Sequence, residues 1–376
     1  MATELKVDNN TLEEETFSDD ALFNISSYGV DLSFREIISM YEEGDLEKPE
    51  MQRKYVWSRN EASRFIDSIL LGLPVPSIFL AKTSDEKRLI VDGYQRIMTV
   101  YDYVKTGIFG GDKKVFKLSN SEIINQKWRG KQFSELDSDE QRKIRNASIH
   151  AIIFEQRYPQ NDSGMYQIFE RINTSGRPLK PQEIRNCVYH GKFNQLLIDL
   201  NKNTNWREIM GVSEDSRMLD IELILRCFSF AHFHKEPEVS LNQINLVKYL
   251  NSFMGRYSNM SNEMSQKYSE DFDKTIALIN GKIGKVAFRN GKVNESEIEF
   301  SKRINPAIMD SIYTAVFSLW ESGEIDTSID LRSRYEKLIL DPDFQDAIST
   351  RTTTVSQIKK RIERACEILF GVKYEW

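Results

Sequence analysis

Apolar and polar positions follow two different rhythms along this chain, and the change of rhythm divides it. Ala62, Phe65, Ile66, Ile69 and Leu70 fall at i, i+3, i+4, i+7 and i+8, one apolar stripe on a helix. Asn60 is its expected N-cap, with Gly72 and Pro74 as its stop. Ser33 and Glu36 have capping-box spacing and predict a shorter helix ending near Gly44. Met51–Trp57 reads as an extended segment. Ser77–Ala81 and Arg88–Asp92 are compact apolar runs joined by polar Thr83–Lys87, which predicts a strand pair. Past Gly93 the spacing turns helical through Ile97, Val100, Tyr101 and Val104, and Gly107 can close that helix. Lys114–Leu118 and Ser148–Phe154 are further candidate strands, and Ser138 with Gln141 predicts another helix cap.

After Pro159 the helical rhythm takes over. Met165, Ile168, Phe169 and Ile172 form a stripe that stops at Asn173–Gly176, and Pro181 stands where a first helical residue would. Ser240 and Gln243 have capping-box spacing, and long amphipathic stretches cover about 215–233, 241–254, 262–280, 305–321 and 354–370. A polar segment near 281–297 reads as a linker or exposed loop. No repeat or low-complexity block interrupts the pattern. The expected organisation is a lead-in over 1–20, a mixed α+β domain over 21–157 and an all-helical domain over 158–376.

Composition narrows the function classes. A chain of 376 residues, 40% hydrophobic and 29% charged, can bury a sizeable core as a soluble globular protein. Lys+Arg number 51 against Asp+Glu 57, a net charge of -6, which argues against a surface that coats nucleic acid but allows a local basic site. The lead-in carries Glu4, Asp8, Glu13, Glu14, Glu15, Asp19 and Asp20 against Lys6, so it reads as a disordered acidic segment rather than a signal peptide. Cys187, Cys227 and Cys366 show no paired spacing and suggest buried thiols in a reducing cytoplasm. No apolar run approaches a membrane span.

Candidate chemistry concentrates at Asp92-Gly93-Tyr94-Gln95-Arg96, where a strand runs through a tight turn into a helix. A helix start presents unpaired N–H groups and a positive dipole end, an arginine contacts phosphate oxygens, and an aspartate can hold a metal or orient water. On spacing alone, Asp92 capping the helix and Arg96 making a structural ion pair explain the same residues. His232-x-His234 lacks the spacing that puts two ligands on one helix face, and no G-x-x-x-x-G-K-[ST] loop is present. Arg351, Lys359, Lys360, Arg361 and Arg364 could touch DNA phosphates, but beside Ile358, Ile362, Ala365 and Ile368 they read as the solvated face of a helix.

Four stretches carry a wider pattern: Gln52-Arg-Lys-Tyr-Val-Trp57, Ile69-Leu-Leu-Gly-Leu-Pro-Val-Pro-Ser-Ile78, Asp92–Arg96, and Phe169-Glu-Arg-Ile-Asn-Thr-Ser-Gly176 with Leu179 and Glu183–Asn186. In order and spacing they resemble the GmrS-type family, the ParB/sulfiredoxin-like N-terminal domains of GmrSD type IV restriction enzymes and related bacterial anti-phage proteins. The resemblance covers about residues 30–200.

It implies an α+β ParB-like fold whose D-G-Q-Q-R motif binds a nucleoside triphosphate, with Mg2+, and is linked to its hydrolysis. Asp92, Gly93, Gln95, Arg96 and Thr99 match that motif and the helix after it. Asp92, Gln95 and Arg96 are the implied catalytic set, and Asp92 the implied metal contact. Asn173 and Gly176 resemble a second wall of the pocket, with 158–200 packing on it, and Gln52, Arg53 and Trp57 its mouth. Tyr94 stands where the family has its first Gln. A phenol cannot supply an amide's paired donor and acceptor, so phosphate binding carries over further than hydrolysis; Tyr94 could stack on a base or block the pocket. Full GmrSD-type proteins carry a C-terminal His-Asn-His nuclease, whereas the histidines here, His150, His190, His232 and His234, all precede residue 235. The implied partners are a nucleotide and either DNA or a separate nuclease or effector, with oligomers possible. A DNA-recognition module without catalysis and a catalytically impaired regulatory partner are the alternative readings.

Overall fold

The computed structural model describes residues 5–8, 24–48, 55, 57–83, 86–158, 163–172, 179–189, 191–211, 214–215, 217–295 and 297–376. They form two compact units, one from the described residues of 21–179 with 186–188, the other from those of 1–20, 180–185 and 189–376. The chain is an α+β protein, with its main sheet in the first unit and helices dominating the second.

The first unit runs β1 (Asn24–Ser33), α1 (Phe34–Glu43), β2 (Leu46–Glu47), α2 (Arg59–Leu71), β3 (Ile78–Lys82), β4 (Arg88–Asp92), α3 (Tyr94–Tyr101), α4 (Ser138–Asn146), β5 (Ser148–Tyr158) and α5 (Ser163–Ile172). Its sheet has the order β1-β5-β3-β4-β2. The predicted strand pair is the antiparallel β3–β4 hairpin, and β5 lies parallel to β3 and antiparallel to β1. Ser33 caps α1 in the expected box with Glu36, and Gly44 and Gly72 end α1 and α2 in left-handed turns. Phe34, Ile37, Phe65, Ile66, Leu80, Ile90 and Ile97 meet in one core between helices and sheet.

Several expectations shift. α2 is capped by Ser58 with Glu61, not Asn60, because Ser58 completes a reciprocal box that Asn60 cannot. The cap of α4 is likewise Asp137 with Glu140, one residue before Ser138. Lys114–Leu118 makes only an isolated bridge between Val115 and Ile108; here Arg59 donates to the carbonyls of Val115 and Lys117, occupying acceptors that a strand partner would use. β1 was not visible in the pattern, since its Ser26, Ser27, Tyr28 and Gly29 break apolar alternation.

The second unit takes in the start of α6 (Pro181–Val188), whose first residue is Pro181 as expected. It continues through α7 (Lys192–Leu200), α8 (Thr204–Met210), α9 (Leu219–Ala231), α10 (Leu246–Tyr257) and α11 (Asn262–Lys282). A hairpin of β6 (Arg289–Asn294) and β7 (Glu297–Ile304) follows, then α12 (Pro306–Ser322), α13 (Leu331–Leu340), α14 (Pro342–Ser349) and α15 (Val355–Phe370). The hairpin corrects the all-helical expectation for this region and replaces the loop read near 281–297. Phe300 stacks on Tyr335 at 5.8 Å, giving the ribbon an apolar anchor that its polar sequence hides. The capping box at Ser240 is also absent: Ser240 ends a short 3-10 turn, and Asn245 caps α10. Of residues 1–20, only 5–8 are described; Leu5 and Val7 are buried there, and Val7 bridges to Ile304.

α9 is buried on nearly every side and carries charge into the core. Arg226 donates to Asp310 on α12 through Nε at 3.1 Å and Nη2 at 2.6 Å, and Arg361 on α15 reaches the same carboxylate at 3.4 Å. Arg361 is therefore buried rather than on a solvated face. Glu222 pairs with Arg185 at 2.8 Å, and Asp220 with Arg207 at 2.9 Å. Cys187, Cys227 and Cys366 are buried and not disulfide-bonded. No helix among the described residues is long and apolar enough to cross a membrane.

Candidate functional site

β4 ends at Asp92, Gly93 turns with φ 102°, and α3 begins at Tyr94. Glycine is required there twice over. The backbone is left-handed, and a methyl carbon on Gly93 would lie 2.2 Å from Ile78 Cγ2 on β3. Glycine at the cap has no side chain to offer the first turn of α3, where the N–H groups and the positive end of the helix dipole lie.

Arg96 does not stand apart from the scaffold. Its Nη1 donates to the carbonyls of Pro76 at 3.1 Å and Ser77 at 3.0 Å, and its Nη2 to Asp92 Oδ2 at 2.5 Å. The guanidinium thus ties the Leu73–Ile78 stretch to the turn, and only 12% of the side chain is exposed, against 36% for Asp92. Asp92 is not part of any group of three metal-ligating side chains among the described residues.

The next motif residues hold the segment before α2. Gln95 Oε1 accepts from the Trp57 N–H at 3.3 Å. Thr99 donates to the Gln95 carbonyl at 2.7 Å, which leaves the Tyr55 O–H to donate to Thr99 Oγ1 at 2.5 Å. Tyr55 was missed as a site residue although it lies inside the Gln52–Trp57 stretch; its role depends on a contact across 44 residues that spacing cannot reveal. Burial raises its phenol well above the usual range. Tyr94 is half-buried against the core with Tyr41 and Tyr101, and burial pushes its phenol up to about 12. It is packed as a core-edge residue, with part of its surface open.

A groove of about 300 Å³ runs past Trp57, Glu61, Arg64, Phe65 and Ser68, beside this cluster. A wider one, about 610 Å³, is lined by Leu73, Pro74, Val75, Arg142, Lys143 and Asn146 among others. Gln52, Arg53, Asn173 and Gly176 lie outside the described residues.

Three of the four motif stretches are therefore joined by hydrogen bonds radiating from one turn, and residues 34–190 match the model of the GmrSD restriction endonuclease N-terminal domain. Residues 34–190 are a GmrSD N-terminal domain. Neither the curated proteins nor the solved structures give a match to the chain. Within the matched range lie β2, β3, β4, β5 and α1 through α6, together with the whole Asp92–Thr99 cluster.

The other candidate groups have partners of their own. Lys360 pairs with Asp343 at 2.9 Å and Arg364 with Asp341 at 2.5 Å, which neutralises much of the basic group on α15. His232 is buried with its Nδ1 2.9 Å from the Phe228 carbonyl, and burial lowers its pKa.

Proposed function

We propose that this chain is the ParB-like, nucleotide-binding component of a bacterial GmrSD-type restriction or anti-phage system, acting in a reducing cytoplasm. The observation that carries the reading is the glycine-started α3, flanked by Asp92 and Arg96, within a segment that matches a GmrSD N-terminal domain. Phosphates of a nucleoside triphosphate would sit against the backbone of Gly93–Arg96, where N–H groups and the helix dipole favour anions. Gln95 and Thr99 set the turn's geometry from behind rather than reaching for ligand, since both are engaged with the Tyr55–Trp57 segment. Asp92 fits Mg2+ as a single carboxylate ligand, the remaining ligands being phosphate oxygens and water.

Tyr94 favours binding over turnover. Its ring packs against the core and offers no amide where the family motif has one. This supports a regulatory partner for a separate nuclease as the second reading. The basic group on α15 gives little support to a DNA-recognition module, because Arg361 is buried and Lys360 and Arg364 are ion-paired.

Calorimetric titration with Mg2+ and the nucleoside triphosphates tests the proposal. Arg96→Ala should abolish binding, with Arg96→Lys separating loss of charge from loss of the Pro76 and Ser77 contacts. Unchanged binding in Arg96→Ala overturns the site. Tyr94→Gln should gain turnover if the chain is a weakened enzyme, and should gain none if it is a regulator.

A further inference from the structure

Directly after Tyr101 the helix widens into a π-helical turn, Asp102–Thr106, closed by the Gly107 N–H donating to the Asp102 carbonyl at 2.8 Å. Such turns are rare in general but frequent at functional sites. Here the turn carries Asp102 inward, where it is 8% exposed. Its carboxylate faces the backbone of Gly110, whose N–H favours the ionised form. Gly110 is held between two walls: a methyl carbon on it would lie 2.7 Å from Asp102 Oδ2 and 3.0 Å from Tyr55 Cγ. Phe109, one residue earlier, meets the Tyr55 ring edge-on at 5.2 Å.

A continuous path of contacts results. The Asp102 carboxylate faces Gly110, Gly110 abuts the Tyr55 ring, Tyr55 donates to Thr99, and Thr99 donates to the Gln95 backbone carbonyl. We infer that Asp102 is a positioning residue for the turn at Gly93: ionised, it latches Gly110 against Tyr55 and fixes Gln95, and protonation slackens that latch. Its functional meaning rests on the nucleotide reading above, while its geometry does not.

The surroundings suit a titrating group. Tyr41 from α1, Tyr55 from the preceding segment and Tyr94 from α3 face it, and burial raises all three phenols, so they stay neutral where it titrates. Lys113 from the loop is the cation that acts on it, and Glu61 acts on Tyr55. Burial pushes the Asp102 carboxyl up to about 6. The far end of the loop stays pinned in either state, because Arg59 pairs with Asp112 at 2.9 Å and holds the Val115 and Lys117 carbonyls. Gly107 and Phe109 are tied to Phe116 and Lys114 by backbone hydrogen bonds of 2.7 Å, so the movement is confined to Gly110 and Gly111.

The test follows the Gly110 backbone amide and the Gln95 side-chain amide by NMR in the full chain across the Asp102 titration. Both should shift together in the native protein and stay flat in Asp102→Asn. Tyr55→Phe keeps the ring but cuts the path, so Gly110 should still titrate and Gln95 should not. A Gly110 amide that does not move, or that moves equally in Asp102→Asn, overturns the latch. Movement of Gln95 in Tyr55→Phe equal to the native protein overturns the path.

Calorimetry with Mg2+ and nucleoside triphosphate, one pH unit to either side of the titration, gives the functional arm. The native protein should lose roughly fivefold or more in affinity on the acid side. Asp102→Asn should lose only what phosphate protonation takes from both proteins. Equal losses in the two overturn the coupling. Failure of the native protein to bind at any pH refutes the nucleotide reading and with it the functional meaning of the latch, whose geometry is then decided by the resonances.

Discussion

Gly93 leaves the least room for substitution in the candidate site. Gly93→Ala must adopt φ 102° and push its methyl group into Ile78, so the variant should lose about 2–4 kcal/mol in denaturant unfolding. A loss below about 1 kcal/mol would show that β3 yields. Arg96→Ala deletes three charge-assisted contacts and should cost about 2–3 kcal/mol, so its loss of ligand must be read beside its stability. Asp102 works in the other direction. Its folded pKa, about 6, stands above the unfolded value, so the native state holds the proton more tightly. Its contribution to stability is therefore fully present below about pH 4 and lost as pH rises through about 6, a difference of at most about 3 kcal/mol and less where solvent screens the carboxyl. Asp102→Asn should flatten that part of the stability–pH curve and gain on the native protein at neutral pH. A curve of unchanged slope between pH 4 and 7 would contradict the assignment.

At the level of elements, caps and ion pairs show why some boundaries were readable and others were not. Ser33 with Glu36 announced α1 because both halves of its box lie within four residues. Ser58 and Asp137 were passed over for better-looking neighbours, since one backbone angle decides which residue caps. Nothing local announces that Arg226 and Arg361 share Asp310 across three helices. Asp310→Ala leaves two guanidiniums buried without their carboxylate, and should cost about 3–5 kcal/mol in thermal or denaturant unfolding. A near-neutral result would mean that one arginine escapes to solvent.

For the molecule as a whole, fold class and the position of the turn were legible because hydrophobic rhythm is strong on β3, β4, α2 and α3. β1 and the β6–β7 hairpin were not, because their stability comes from β5 and from Tyr335, residues far away in sequence. Motif order revealed the Asp92–Arg96 turn but not what its side chains grip. Arg96 looked like a ligand contact and also proves a strut between Pro76, Ser77 and Asp92. With a net charge of -6 and α15 largely neutralised, unmodified duplex DNA should give no mobility shift at ~1 μM protein in about 150 mM salt. A complex that weakens steeply with added salt would reopen the DNA-recognition reading.

The sheet's margin at β2 has a consequence for the chain's fate during synthesis and refolding. An open strand edge invites a neighbouring molecule to add its own backbone and grow into an aggregate. Among the described residues β2 pairs with β4 through Leu46 and Glu47, and Glu47 forms an ion pair with Lys87. So short and charged a border gives an incoming strand too little ladder to hold, and crowded chains are steered away from polymerising through this side of the sheet.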